Sequence, residues 1–269
     1  MLQYRDIRKA LDNLHIQRGD PAVVHISASL VPQVRGGAQT ILGALLAGID
    51  NLLMPSFTYK TMIIPEVGPA DNLIDYGSGR IENLNAAIFT SDLPADFEDR
   101  EISEVFRHYP DVTRSNHPIL SFLGLGLDAA LSMQSVTDPY GHIAYLRGKG
   151  AKILLMAKDA PSIFSLHLAI KQSGRKQFTR WALTSEGIQE CQAYPGCANG
   201  FHKLFFYIGD QLKQIQVQEE AWYALPLDIT LEAAERLIKK DPYALLCNDL
   251  QCEKCNLIRK EIRQSGAEG

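Results

Sequence analysis

The chain has 269 residues, 46% of them hydrophobic and 22% charged, with a formal net charge of −4. That length supports one large core, and the mild acidity argues against nucleic acid or an anionic membrane as partner. No apolar run approaches the ~18 residues a membrane helix needs, and the start, Met1-Leu2-Gln3-Tyr4-Arg5-Asp6, has no signal-peptide apolar region, so a cytoplasmic location is expected.

Taken in order, Tyr4 to Leu14 carries Ile7, Ala10, Leu11 and Leu14 at helical spacing. Gly19-Asp20-Pro21 breaks that stripe before a short β-branched run, Ala22 to Ile26, which reads as a buried strand. Ser27 to Arg35 reads as a polar loop. Gly36 and Gly37 then open a helix with Ile41, Leu42, Leu45, Leu46 and Ile49 inward. Asn51 to Met54 is a second strand. Residues 59 to 98 lack periodicity, and a loop of that length is commonly functional. Glu101 to His108 is a helix, and Ile153 to Met156 a third strand. Ser162 is placed to cap a helix from Ile163 to about Lys171. Arg180 to Thr184 and Gln214 to Val217 read as strands. Thr230 is expected to cap a helix with Leu231, Ala234, Leu237 and Ile238 on one face, and Asn256 to Arg263 is a final short helix. Strands alternating with helices imply an α/β fold, a central sheet flanked by helices, in a single domain over 1–269. The one organisational break is the Gly-, Pro- and Cys-rich patch from Gln192 to Gly200.

Strand, polar loop, paired Gly and helix together form the layout of an anion site. The first amides of a helix lack internal partners, and the helix dipole adds positive charge there. Glycine lets the backbone approach an anion closely, and Arg35 adds a full charge. A plain βα turn would use the same residues for packing alone.

The order of residues narrows this. His25, Ser27, Ser29, Val34, Gly36, Gly37 and Ala38 resemble the signature of the aminoglycoside 3-N-acetyltransferase family. Met54-Pro55-Ser56-Phe57-Thr58 is similar to its M-P-T-F-T. Arg114-Ser115-Asn116-His117-Pro118 with Ser121-Phe122 is similar to its R-S-x-H-P-x-x-S-F, and Ser165-Leu166-His167-Leu168-Ala169 to its S-L-H-L-A. Four ordered motifs over roughly residues 20 to 170 make chance agreement remote.

The resemblance implies an acetyl-CoA-dependent N-acetyltransferase that transfers the acetyl group directly to an amine. It implies that Ser27, Ser29, Val34, Arg35, Gly36 and Gly37 meet CoA, with Arg114 and Ser115 as a second contact. His167 matches the family's general base. An imidazole is suited to accept a proton from an attacking amine near neutral pH. His117 is either a satisfied structural imidazole or a ligand contact. The 59–98 segment corresponds to the family's irregular insert at the acceptor cleft.

The chain also departs from the pattern. The family's Asp six residues before the His is Pro161 here, its Glu three residues after is Ile170, and its Ser-Pro pair is missing from Gly141 to Tyr145. A base without an orienting carboxylate is weaker, so Asp159, Glu186 or Glu190 is expected to replace it. These losses lie on the amine side, which points to a changed acceptor: an aminoglycoside, an amino sugar or another small amine. A transferase of the same fold with another acyl donor is one rival. A catalytically degenerate protein that binds CoA or a partner is a second.

All five cysteines lie between Cys191 and Cys255. Cys247, Cys252 and Cys255 follow C-x4-C-x2-C spacing, and Cys197 or Cys191 supplies a fourth thiol. In a cytosolic chain such a subregion, 191–255, reads as a structural zinc staple on Cys197, Cys247, Cys252 and Cys255, or as plain thiols. An iron–sulfur centre of plant type would need its fourth Cys further on. Neither the oligomeric state nor the acceptor is legible.

Overall fold

The computed structural model describes residues 1–267. A seven-stranded sheet forms the centre, in the order β4-β5-β2-β1-β6-β10-β9. Three strands in its middle are parallel: β1 (Pro21–Ile26), β2 (Asn51–Pro55) and β6 (Lys152–Met156). The hairpin-like pair β4 (Thr113–Arg114) and β5 (Phe122–Leu125) continues one edge antiparallel. The pair β9 (Lys213–Val217) and β10 (Glu220–Pro226) continues the other. A separate antiparallel sheet joins β3 (Met62–Ile63), β7 (Phe178–Thr184) and β8 (Gly187–Tyr194).

Period-two alternation on the inner strands divides the core. Val23, Leu53, Ile153, Leu155 and Leu225 point to one face. There they meet α5 (Gly141–Leu146), α6 (Leu166–Gln172) and α8 (Leu227–Lys240), with the one-turn helices α4 (Asp128–Leu131) and α7 (Phe205–Ile208) beside them. Ala22, Val24, Ile26, Leu52, Met54, Leu154 and Met156 point to the other face. That face is covered by α1 (Tyr4–Asn13), α2 (Gly37–Leu46) and α3 (Arg100–Arg107). Because both faces are covered, the inner strands are apolar through their middles and carry polar residues only near their ends, Asn51, Lys152 and His25. The last helix, α9 (Glu253–Ala267), belongs to a small third cluster with Leu246, Cys247, Cys255 and Ile258.

This is the α/β sheet flanked by helices that the sequence implies, with four local differences. Ser27 to Arg35 is not an open loop: Ala28–Gln33 winds into a 3₁₀ turn, with the Ser27 side chain accepting from the Ser29 amide. Ser162 does not cap α6. Ala160–Ser162 is itself a 3₁₀ turn, Ile163 leaves helical geometry at ψ 83°, and the helix starts only at Leu166. Thr230 lies inside α8, where its hydroxyl donates to the Pro226 carbonyl one turn back. Expected from Asn256 to Arg263, the last helix is nearly twice that length.

The long insert stays irregular, but its backbone is stitched by side chains. Asn83 both accepts from the Ile64 amide and donates to the Ile64 carbonyl. Asn72 does the same with Thr179. Asp96 accepts from the amides of Tyr59 at 2.6 Å and Lys60 at 2.5 Å. Asn and Asp mimic a backbone partner, which is how a segment without ladders satisfies its polar groups. Among the described residues no helix is long and apolar enough to cross a membrane.

Replacing Asp96 with Asn leaves one of these two amides facing an NH₂ group. We expect a loss of about 1–3 kcal/mol in urea unfolding, the range for hydrogen bonds to a charged group. An unchanged midpoint would mean that Asp96 does not anchor the insert.

Candidate active site

Strand order changes direction at β1: the chain passes to β2 on one side and later returns to β6 on the other. In open α/β sheets such a switch leaves a crevice outside the carboxyl ends of the strands. A cavity of about 400 Å³ lies there. Its floor includes His25 and Ile26 at the end of β1, Met54 and Pro55 at the end of β2, and Lys158 just past β6. Its walls include Phe57 and Tyr59, Phe97 and Asp99, Phe164 and His167, then Tyr194, Pro195, Gly196 and Lys254. A second cavity of about 340 Å³ shares Lys158, Pro161 and Ser162 with the first and reaches Ser27 and Asp159.

His167 is on the first turn of α6 and is 6% exposed. Its ring sits among Phe201 at 5.0 Å, Phe164 at 5.9 Å and Tyr140 at 6.3 Å between centroids. Nδ1 is enclosed and has no hydrogen-bond partner. Burial, reinforced by the Lys254 ammonium, pushes its pKa down to about 3. His25 is also pushed to about 3, by burial and then Lys158. At neutral pH both imidazoles are therefore uncharged.

None of the carboxylates proposed to orient His167 lines its cavity. Asp159 is exposed and borders the second cavity. Glu190 is exposed on β8, where its neighbour Cys191 takes the buried side, and Glu186 is exposed at the β7–β8 turn. Strand alternation decides Glu190: a residue next to a buried one points away from the core.

The Ser27–Gly37 stretch holds its shape by its own contacts. The Ser27 and Ser29 hydroxyls are 2.7 Å apart, Val34 is buried, and the Arg35 amide donates to the Leu2 carbonyl. Gly36 and Gly37 have φ of +87° and +58°, and a Cβ at Gly36 would strike the Thr40 hydroxyl. Paired glycine is thus required by the left-handed backbone that turns the chain into α2. Arg35 and Gly36 are exposed beside it. The Ala28 amide donates to Asp99, whose other oxygen pairs with Lys158, so the loop is tied to the cavity rim.

Arg114 and Ser115, expected at CoA, are engaged by the protein's own groups. The Arg114 guanidinium donates to the carbonyls of Ser56, Ser91 and Leu93 and to the Ser121 hydroxyl. Burial lowers its pKa to about 10, which leaves it charged at neutral pH. It clamps the insert to the end of β2. Ser115 is buried, donating to Gln134 and accepting from the Phe122 amide. His117 is structural: its Nδ1 accepts from the amides of Ile119 and Leu120. A motif match identifies residue types, whereas these roles depend on which carbonyls the insert brings close. Lys254, Tyr194 and Tyr59 escaped the sequence reading because they come from three distant segments.

The Cys subregion does converge. The sulfurs of Cys197, Cys247, Cys252 and Cys255 all lie within 4.8 Å of one another. Cys191 packs separately in the main core. Burial pushes the Cys255 thiol up and the Cys197 thiol to about 11.

Comparison with known proteins agrees with this geometry. A family model described as aminoglycoside 3-N-acetyltransferase matches residues 23–180. Aminoglycoside N(3)-acetyltransferase IX of Micromonospora chalcea is 29% identical over 175 residues, which cover 61% of this chain and 59% of that protein. The match therefore spans less than two thirds of that relative. The apoenzyme structure of aminoglycoside acetyltransferase AAC(3)-IVa superposes with a TM-score of 0.77 at 19% identity, over 96% of each chain. The structure of AAC-IIIb with CoASH superposes with a TM-score of 0.69 at 18% identity, over 89% of this chain and 97% of that one. At those identities the superpositions establish the fold.

Two measurements follow from the site. His25, His117, His142 and His167 are each held near pKa 3 by burial, against 6.5 in the unfolded chain. Above 6.5 neither state binds the proton; below it the unfolded chain does and the folded one does not. Stability should therefore fall as pH drops from 6.5 toward 3, by up to ~1.4 kcal/mol per pH unit for each imidazole. Urea unfolding at pH 7 and pH 5 should show a marked loss, and equal stabilities would contradict the burial. Arg114→Met should lower stability by about 2–4 kcal/mol by stranding its carbonyl partners, with CoA affinity of the folded protein unchanged. A selective loss of CoA binding without destabilisation would restore the direct contact.

Proposed function

The chain belongs to the aminoglycoside 3-N-acetyltransferase family, and on that premise we propose that it is an acetyl-CoA-dependent N-acetyltransferase acting on a small amine. The observation that carries this is His167 on the wall of the switch-point cavity, with the Ser27–Gly37 loop tied to the same rim through Asp99 and Lys158. Relatives named for acetyl transfer to aminoglycosides, one of them solved with CoASH, support acetyl-CoA as donor.

The amine would enter between Tyr59, Phe164 and Tyr194, and acetyl-CoA from the side of Arg35, Gly36 and Gly37. The amine nitrogen attacks the thioester carbon and the N–C bond forms. His167 takes the proton that nitrogen sheds. The tetrahedral intermediate then expels the CoA sulfur, which takes that proton from the His167 imidazolium and leaves as thiol. Neutral imidazole is available for this at any pH well above 3. Where the family places a carboxylate, the His167 ring is instead surrounded by the aromatic rings of Tyr140, Phe164 and Phe201. Direct transfer is favoured because no Cys lines the cavity.

The acceptor is a small amine of the aminoglycoside, amino-sugar or simple-amine class, and the cavity charge bears on which. A polycation needs free carboxylates. Of the two carboxylates that line the cavity, Asp99 is engaged by Lys158 and an amide while Glu98 is exposed, and Lys254 adds positive charge beside them. The zinc expected on the four cysteines stands outside this chemistry, since a closed thiolate set leaves no position for water. A second reading, CoA binding without turnover, is favoured by the unpartnered Nδ1 of His167.

Acetyl-CoA turnover against aminoglycosides, amino sugars and simple amines separates the two. In the active case, His167→Gln should lower kcat by about two to four orders of magnitude with CoA affinity retained. With His167 neutral throughout, the rise of kcat/KM with pH should follow the acceptor's own ammonium. Two acceptors of different amine pKa should then give displaced profiles. A shared inflection near 6.5 for both would refute the pKa assigned to His167, and full activity of His167→Gln would end its role as base.

A further inference from the structure

We propose that Cys197, Cys247, Cys252 and Cys255 hold one zinc ion, and that this ion fixes one wall of the amine cavity. The four sulfurs come from three segments: the turn after β8, the stretch after α8 and the first turn of α9. All lie within 4.8 Å of one another. A tetrahedral zinc with bonds of about 2.3 Å sets its sulfurs roughly 3.8 Å apart, so sub-ångström shifts close the site. An iron–sulfur cluster interposes sulfides and would spread the thiolates further.

The surroundings match a charged metal centre. Four thiolates around Zn²⁺ carry two net negative charges. The Arg175 and Lys254 cations interact electrostatically with these cysteines, and Arg259 donates to the Cys247 carbonyl. The Asn199 amide donates to the Cys197 sulfur at 3.4 Å. The backbone is shaped for the convergence as well. A Cβ on Gly200 would collide with the Leu245 carbonyl, so glycine lets the Cys197 turn press against the chain leading to Cys247. With four thiolates bound, the ion has no open position, and its role is structural.

What it holds is next to the substrate. Tyr194, Pro195 and Gly196, which line the cavity, run directly into Cys197. Lys254, which lines it too, lies between Cys252 and Cys255, with its ammonium 5.9 Å from the Tyr194 ring. Strand pairing ends at Tyr194, so past that point no ladder positions the wall. The ion ties both wall segments to one point. Its presence is independent of the acetyltransferase reading; only the effect on the amine rests on that reading.

The wild-type protein, purified without chelator, tests both parts. Elemental analysis should find one zinc per chain. A mercurial thiol reagent should release it as four of the five cysteines react, followed with a zinc indicator dye. Protein without zinc, with iron in its place, or with disulfides among these four cysteines by peptide mapping overturns the metal site. For the wall, hydrogen exchange before and after zinc removal is compared. Faster exchange confined to residues 193–198 and 251–257, with β1 and β6 still protected, is the expected result. Unchanged exchange, or loss of protection across the whole sheet, overturns the local role. In turnover, zinc removal should raise KM for the amine several-fold and leave KM for acetyl-CoA alone. If no amine is acetylated, the enzymatic reading fails while the metal and exchange results stand.

Discussion

Strand β1 is held by parallel partners on both sides and buried on both faces, and the rest of the molecule is arranged by that constraint. A strand so placed cannot contribute a polar side chain anywhere along its length except at its end. His25, one residue before the end of β1, is the polar side chain the strand carries there, and the cavity begins at that level. The same constraint places Lys158 beyond β6 and Pro55 at the end of β2, because strands in register end at the same level. Ser27 follows at once, with its amide bonded to the Met156 carbonyl. The loop that turns into α2 is thus an extension of the sheet and takes its position from it.

Around this rigid floor the walls are of another kind. The 59–98 insert has almost no ladder, and its order comes from Asn72, Asn83, Asp96 and the Arg114 clamp. Each is a side chain substituting for a missing strand partner. The wall carrying Tyr194 and Lys254 runs into the segments on which four cysteine sulfurs converge. Floor and walls can accordingly diverge at different rates: a change in the floor disturbs a packed core, whereas a change in a wall alters the shape of the cavity.

The sequence carried the floor well. The apolar runs at 22–26, 51–54 and 153–156 are strands because burial on both faces leaves no other pattern. Paired glycine at 36–37 and the cysteine spacing were legible for the same reason, since each fixes local geometry. The clamp by Arg114 was not, because its partners Ser56, Ser91 and Leu93 come from elements with no sequence periodicity linking them. Where the carboxylates expected beside His167 lie was illegible for a related reason. Asp159, Glu186 and Glu190 are near it in sequence or in expected fold, but a 3₁₀ turn and strand alternation direct them elsewhere. Short or polar strands such as β4 and β8 also lacked the alternation that marks an isolated sheet face.

The parallel pairing of β1 with β6 sets Ala22 beside Lys152, across nearly half the chain. Local hairpins and helices can form early, but this contact requires a long loop to close first, which makes topology of this type slow to fold. During synthesis β1, α2 and β2 leave the ribosome well before β6 can join them, so one side of β1 remains an unpaired apolar edge in the interim. Edges of that kind are where nascent chains associate wrongly. The cavity floor is thus also the kinetic bottleneck of the molecule. Shielding of the nascent β1 edge, more than any property of the finished site, should govern how much of the protein reaches its native state.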